Sequence, residues 1–315
     1  MRTRLRRGLA AAAAAGGLLL VAAPAAHAAD GRISELDATS KGLRIVFGAT
    51  ELPEGQSLDA ASVTVTLAGT ELESVAKAFG TTAAPARRSI LVMDVSGSMA
   101  GERIAAARQA AASYVRSLPA DVAVGIVTFA DNATVRLPPT ADRARTLASI
   151  ASLAVVPDGG TALYAGTVAG TKAAGANGVR NLLVLSDGED DGTNPVRLPT
   201  AVATVRDSGV TLDAVSLGAG VKVPSLTALA AAGGGKAVSA ADVTALDDAF
   251  TAAANAVSNQ LVIDAVVPSD AARGSQQVVV TASTGATTVS DQAVALLPAA
   301  PTAGPAIDDP AFGPR

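Results

Sequence analysis

"ILVMDVSGSM", residues 90–99, passes from four apolar residues into an acid, two hydroxyls and a glycine. Ile90, Leu91, Val92 and Met93 form a continuous apolar run of the kind found in a strand buried on both faces of a parallel sheet. Asp94, Ser96 and Ser98 then fall on alternate positions of the segment that leaves the strand. In an open parallel sheet, ligands gather at the carboxyl ends of the strands, in the crevice where the strand order reverses. The stretch therefore predicts both a fold class and the place of a site.

Working outward, residues 88–260 keep this rhythm of short apolar runs separated by helical stretches, the pattern of an α/β domain with a mainly parallel sheet. Buried strands are expected at 89–93, 122–129, 181–186 and 211–217, with a short edge strand at 133–137 after a tight Asp131-Asn132 turn. Ile104, Ala111, Val115 and Leu118 share one helical face, as do Val243, Leu246, Phe250 and Val257. Outside this unit the period changes to two: Val63, Val65 and Leu67 face one way, Thr64 and Thr66 the other. Strand-like runs recur at 43–47, 262–266, 277–281 and 288–294. Neither flank has enough strands to bury a face alone. The expected architecture is thus a small β-sandwich built from 29–80 and 261–297, interrupted by a larger α/β domain at 87–260. Residues 298–315, mostly Pro, Ala and Gly, read as a tail with little to pack.

At the other end, Arg2, Arg4, Arg6 and Arg7 precede an apolar run at 9–23 and then Ala26-His27-Ala28, the pattern of a secretory signal peptide over 1–28. The chain is accordingly expected to be exported, secreted or associated with the cell envelope, with no transmembrane segment in its mature part. Removing that peptide takes four of 24 basic residues and none of the 28 acidic ones, leaving 20 against 28 and moving the net charge from -4 to -8. Such a balance argues against nucleic acid as a partner. It also removes the one histidine, His27, and the chain has no cysteine. Ser-His-Asp and Cys-His catalysis, histidine or thiolate zinc sites and disulfides are excluded by that inventory. With aromatics at 2%, the core must be built from Val, Leu, Ile and Ala.

Two more segments aim oxygens at the same sheet edge: Thr161 in "PDGGTALY", 157–164, and Asp187 in "LLVLSDGEDDG", 182–192. Each element alone has an ordinary explanation. Ser96 and Ser98 fit turn or N-cap positions before a helix starting near Glu102, Thr161 fits the cap of a helix over 162–173, and Asp187-Gly188 is a common turn pair. Their conjunction is more specific, because three separated segments, each following or meeting a strand end, supply complementary oxygens. Hard divalent cations take such hydroxyl and carboxylate ligands.

Asp94-x-Ser96-x-Ser98, Thr161 and Asp187 together resemble the five-residue metal-ion-dependent adhesion site (MIDAS) of von Willebrand factor A domains, over about 88–260. The resemblance implies a doubly wound, Rossmann-like sheet ringed by helices. It also implies a bound Mg²⁺ or Mn²⁺, with the counterparts of Ser96 and Ser98 ligating directly, that of Thr161 directly or through water, and those of Asp94 and Asp187 usually through water. One coordination place is left for a Glu or Asp carboxylate of a partner protein. The implied function is non-enzymatic, metal-dependent protein binding in adhesion or assembly. Two alternatives stand beside it: a structural component of an envelope or secretion assembly, and metal-assisted hydrolysis, which here lacks a histidine base. The run 187–192 imitates the opening of an EF-hand, but Leu198 stands where the twelfth-position Glu is needed. Glu189, Asp190 and Asp191 then read as a solvated acidic loop. Ser74-x-x-Lys77 matches an acylase pattern whose other motifs are missing.

Overall fold

The computed structural model describes residues 30–39, 41–50, 52, 56–79, 85–218, 223–285 and 287–299. The expected signal peptide and nearly all of the expected tail lie outside the described residues. The first five strands are β1 (Asp30–Ala38), β2 (Gly42–Thr50), β3 (Asp59–Leu67), β4 (Thr70–Leu72) and β5 (Ser74–Ala78). The α/β unit follows, with β6 (Arg87–Asp94), α1 (Glu102–Ser117), β7 (Val122–Phe129), β8 (Ala133–Thr140), α2 (Arg143–Ala151), α3 (Leu163–Ala174) and β9 (Val179–Ser186). It continues through α4 (Leu198–Ser208), β10 (Thr211–Leu217), α5 (Pro224–Ala232), β11 (Gly234–Ala240) and α6 (Val243–Ser258). Three strands close the chain: β12 (Gln260–Val266), β13 (Gly274–Ser283) and β14 (Thr288–Leu297).

The opening stretch forms the centre of the molecule. The six-stranded sheet runs β11-β10-β9-β6-β7-β8, parallel except for the β7–β8 hairpin. Because side chains alternate across a strand, β6 feeds two cores. Leu91 and Met93 join Leu183 and Leu185 under α1 and α6, while Ile90 and Val92 join Leu182 and Val184 under α3, α4 and α5. This double coverage is why the strand reads as an unbroken apolar run and not as an alternating one. Between α1 and α6, the Tyr114 and Phe250 rings meet edge to face at 6.1 Å, and the buried Tyr114 hydroxyl pairs with Ser89 Oγ at 2.7 Å.

The strand β11 was not foreseen, because its Gly233-Gly234-Gly235 entrance reads as loop. A Cβ at Gly235 would overlap the Leu212 carbonyl oxygen, so glycine is what lets this edge approach β10. The other edge strand, β8, is longer than the sequence suggested, reaching Thr140.

The remaining strands form two four-stranded sheets, β1-β2-β12-β5 and β14-β13-β3-β4. Strands from opposite ends of the chain pair directly: Ile45 lies opposite Ile263, and Val65 opposite Val280. Phe47, Ile45, Ile263, Val65, Val278 and Val280 belong to one apolar cluster that the two sheets share. The α/β unit is therefore inserted between β5 and β12, and only Asn259 separates α6 from β12.

Arg87 fastens this junction. At the first position of β6 it makes two bonds to Asp121 (Nε 2.8 Å, Nη2 2.6 Å), donates from Nη1 to the Val257 carbonyl at 3.0 Å near the end of α6, and lies 4.2 Å over the Phe79 ring. Hydrogen bonding from Arg87 holds the Asp121 carboxyl below its ordinary range. A carboxyl whose folded pKa is depressed contributes stability above its unfolded value, near 3.9, and that contribution disappears as pH falls through the lower folded value. The Asp121 side chain is 42% exposed, so solvent screens the pair. Asp121→Asn is expected to cost about 1 kcal/mol at pH 6, a cost that shrinks as pH falls below the unfolded value and vanishes once the folded carboxyl is itself protonated. Urea unfolding of the two proteins at several pH values measures this; parallel pH profiles would remove the assigned role.

Candidate metal centre

Strands β6 and β9 are neighbours in register, with Met93 opposite Leu185, so Asp94 and Ser186 finish side by side. The chain leaves β6 for α1 on one face and leaves β9 for α4 on the other, which makes this the reversal point of the sheet. Asp94 is fully buried there. Its Oδ1 accepts the Ser96 amide at 2.8 Å and its Oδ2 accepts the Ser186 hydroxyl at 2.6 Å. Burial pushes the Asp94 carboxyl up; the bonds from Ser186 and Ser96 oppose this, and the charge of Asp187 adds to it.

Beyond Asp94 the chain makes one short 3₁₀ turn, Gly97–Met99, which sets the two hydroxyls side by side. Ser96 Oγ and Ser98 Oγ are 3.1 Å apart, and Ser98 Oγ donates to Asp187 Oδ1 at 2.7 Å. Four of the five residues singled out in the sequence, Asp94, Ser96, Ser98 and Asp187, thus belong to one connected cluster. The fifth, Thr161, stands on the adjoining loop, which touches the cluster through a Gly97 amide to Gly159 carbonyl bond of 3.0 Å. The hydrogen bonds of the cluster do not include the Thr161 hydroxyl.

Helix capping does not account for these hydroxyls. The N-cap of α1 is Gly101 and that of α3 is Ala162, neither with a side-chain cap, and Ser96 precedes the 3₁₀ turn without a side-chain capping bond. Nor is the acidic loop simply solvated, which corrects the sequence reading. Asp190 Oδ2 accepts the Tyr164 amide at 3.0 Å in the first turn of α3, and Glu189 accepts the Ser225 amide and hydroxyl at the start of α5. Asp191 Oδ2 accepts the Thr161 amide at 2.8 Å, while its Oδ1 binds Thr193. The Thr193 bonds, then that from Thr161, hold the Asp191 carboxyl below its ordinary range. Carboxylates from one loop thus satisfy amides at the entrances of two helices and fix the backbone of Thr161.

Three participants were missed in the sequence. Ser186, the last residue of β9, anchors Asp94; its position beside Asp187 was the available signal. Asp131 accepts the Gly160 amide at 2.8 Å and so helps shape the Thr161 loop. Arg103 donates to Asp187 Oδ2 at 2.5 Å and to the Ser98 carbonyl at 3.2 Å. A cation beside an expected metal site has no sequence signal. Among the described residues no group of three or more His, Cys, Asp or Glu is assembled for a metal. This cluster has two carboxylates, and its other side-chain oxygens are hydroxyls.

Residues 89–189, which contain the whole cluster, match the family model described as von Willebrand factor type A domain. The α/β unit has the fold of a von Willebrand factor type A (VWA) domain. The chain is 33% identical over 153 residues to a UPF0353 protein of Mycolicibacterium paratuberculosis, covering 42% of this chain and 46% of the relative. A UPF0353 protein of Mycolicibacterium vanbaalenii is 31% identical over the same shares. The chain thus spans about half the length of the curated relatives it matches. Among solved structures, a von Willebrand factor type A protein from Catenulispora acidiphila is similar with a TM-score of 0.51 and 14% identity, over 86% of this chain and 73% of that one. That likeness extends the VWA fold comparison to the flanking sheets. No described helix is long and apolar enough to cross a membrane.

Proposed function

We propose that the VWA domain binds a partner protein through a divalent cation, Mg²⁺ or Mn²⁺, held by Ser96, Ser98 and Thr161, with Asp94 and Asp187 offsetting its charge, and that it acts outside the cytoplasm without catalysing a reaction. The observation that carries this reading is the convergence of Ser96 Oγ, Ser98 Oγ and the two aspartates at the reversal point of the sheet, with neither serine engaged in capping a helix. The donor set fits a hard ion: adjacent ligands of an octahedral Mg²⁺ with bonds near 2.1 Å lie about 3.0 Å apart, and the two hydroxyls are 3.1 Å apart. Thr161 belongs to the set through its loop, whose backbone Asp191 and Asp131 hold against the Ser96–Ser98 turn.

When bound, the ion supplies a Lewis-acidic point that attracts a carboxylate. Neutral hydroxyls in direct contact would leave the ion electron-poor even with Asp94 and Asp187 nearby, so that a Glu or Asp side chain of the partner would complete the arrangement. The buried Asp94 orients the Ser96 amide and the turn that follows; Ser186 in turn holds Asp94. The non-catalytic reading also accords with the inventory, since no histidine or cysteine is present among the described residues to act as base or nucleophile.

Capture on immobilised protein tests the proposal. A partner retained in Mg²⁺ is expected to elute with EDTA and to be lost from Asp94→Ala. Retention unaffected by both treatments would rule out a metal-borne interaction.

A further inference from the structure

We infer that Arg103 is a tethered cation that neutralises Asp187 when no divalent ion is bound and is displaced when one binds, so that it sets the metal affinity of the site. The inference deepens the metal reading above and rests on it. Arg103 Nη1 bonds Asp187 Oδ2 at 2.5 Å and the Ser98 carbonyl at 3.2 Å, while Ser98 Oγ holds Asp187 Oδ1 at 2.7 Å. Both oxygens of Asp187 are therefore engaged, and the guanidinium sits across two of the five residues assigned to the ion.

The position of Arg103 is not explained by its helix. It is the second residue of α1, where the exposed amides make the helix end positive and disfavour a basic side chain. The Asp187 carboxylate is what accounts for it. Burial is also distributed in a way that permits exchange: the Asp187 side chain is 1% exposed and that of Arg103 47% exposed. In the Arg87–Asp121 pair the order is reversed, with the cation 2% exposed and the acid 42% exposed. Arg87 is enclosed and permanent, whereas Arg103 covers its acid from the solvent side on a long stem that can swing into water. Leaving Asp187 buried with no positive charge beside it is costly, so some cation must stay. Two cations on one carboxylate repel each other in a site that water screens poorly. Binding of the ion and retention of the Arg103 contact therefore oppose one another.

The test uses the full chain and Mn²⁺ as the probe, comparing wild type with Arg103→Met, which keeps an apolar stem, and Arg103→Lys, which keeps a charge. Isothermal titration gives Mn²⁺ affinity; thermal unfolding in EDTA and in saturating Mn²⁺ gives the two stabilities; circular dichroism checks folding. Arg103→Met is expected to bind Mn²⁺ about tenfold more tightly, with Arg103→Lys in between. Its unfolding temperature is expected to fall below wild type in EDTA and to match it once Mn²⁺ is bound, as linkage requires. Equal or weaker Mn²⁺ binding by Arg103→Met overturns the role of Arg103 while leaving the metal reading in place. Folded proteins that all fail to bind Mn²⁺ overturn both.

Discussion

Replacement of Ser96 and Ser98 together by alanine is expected to weaken Mn²⁺ binding at least about 100-fold while the protein stays folded. The size follows from removing two neutral ligands at once, since loss of even one supporting contact at a metal site typically costs about 10- to 100-fold. Retained folding follows from the hydrogen-bond pattern. The two hydroxyls bond to each other and to Asp187, and neither caps a helix. Their removal is expected to change the free energy of unfolding in EDTA by only about 1 kcal/mol. Titration of Mn²⁺ into wild type and the double variant decides the matter. Equal affinities would mean that the hydroxyls are not ligands, and the proposed cation would lose two of its three holders.

Phe250→Ala is expected to destabilise the chain by about 3–5 kcal/mol, the usual cost of emptying a buried aromatic position. Phe250 is 0% exposed, lies mid-way along α6 and meets the Tyr114 ring at 6.1 Å and 82°. Truncation removes that edge-to-face contact as well as apolar burial, and it leaves a cavity between α1, α6 and the sheet. A chain with aromatics at 2% has few large side chains to refill the space. Urea unfolding gives the loss directly. A change under about 1 kcal/mol would show that α6 does not pack as described.

How much was legible varied with burial. Strands β6, β7, β9 and β10 stood out because a strand covered by helices on both sides must be apolar at nearly every position. The edge and short strands were less visible: Ser74–Ala78 and Gly234–Ala240 carry Lys77 and Lys236 and only one large apolar residue each, Val75 and Val238, as befits strands at the edge of a sheet. For the site, Asp94, Ser96 and Ser98 were readable because they are local to one turn, and Asp187 because it follows a buried strand. The roles of Glu189, Asp190 and Asp191 were not, because the amides they satisfy lie in segments distant along the chain.

By itself the sequence determined the doubly wound sheet and pointed to Asp94, Ser96, Ser98 and Asp187 at its reversal point, and its inventory leaves no histidine or cysteine among the described residues. Hydrophobic periodicity and residue inventory are properties of a linear string, so they survive without coordinates. Only the tertiary structure decided that Ser186 anchors Asp94, that an acidic loop closes two helix entrances, and that Arg103 lies over Asp187. Each of these is a polar contact between residues far apart along the chain, specified by distance and direction; no periodicity encodes it, because a single hydrogen bond needs only one donor and one acceptor brought within about 3 Å.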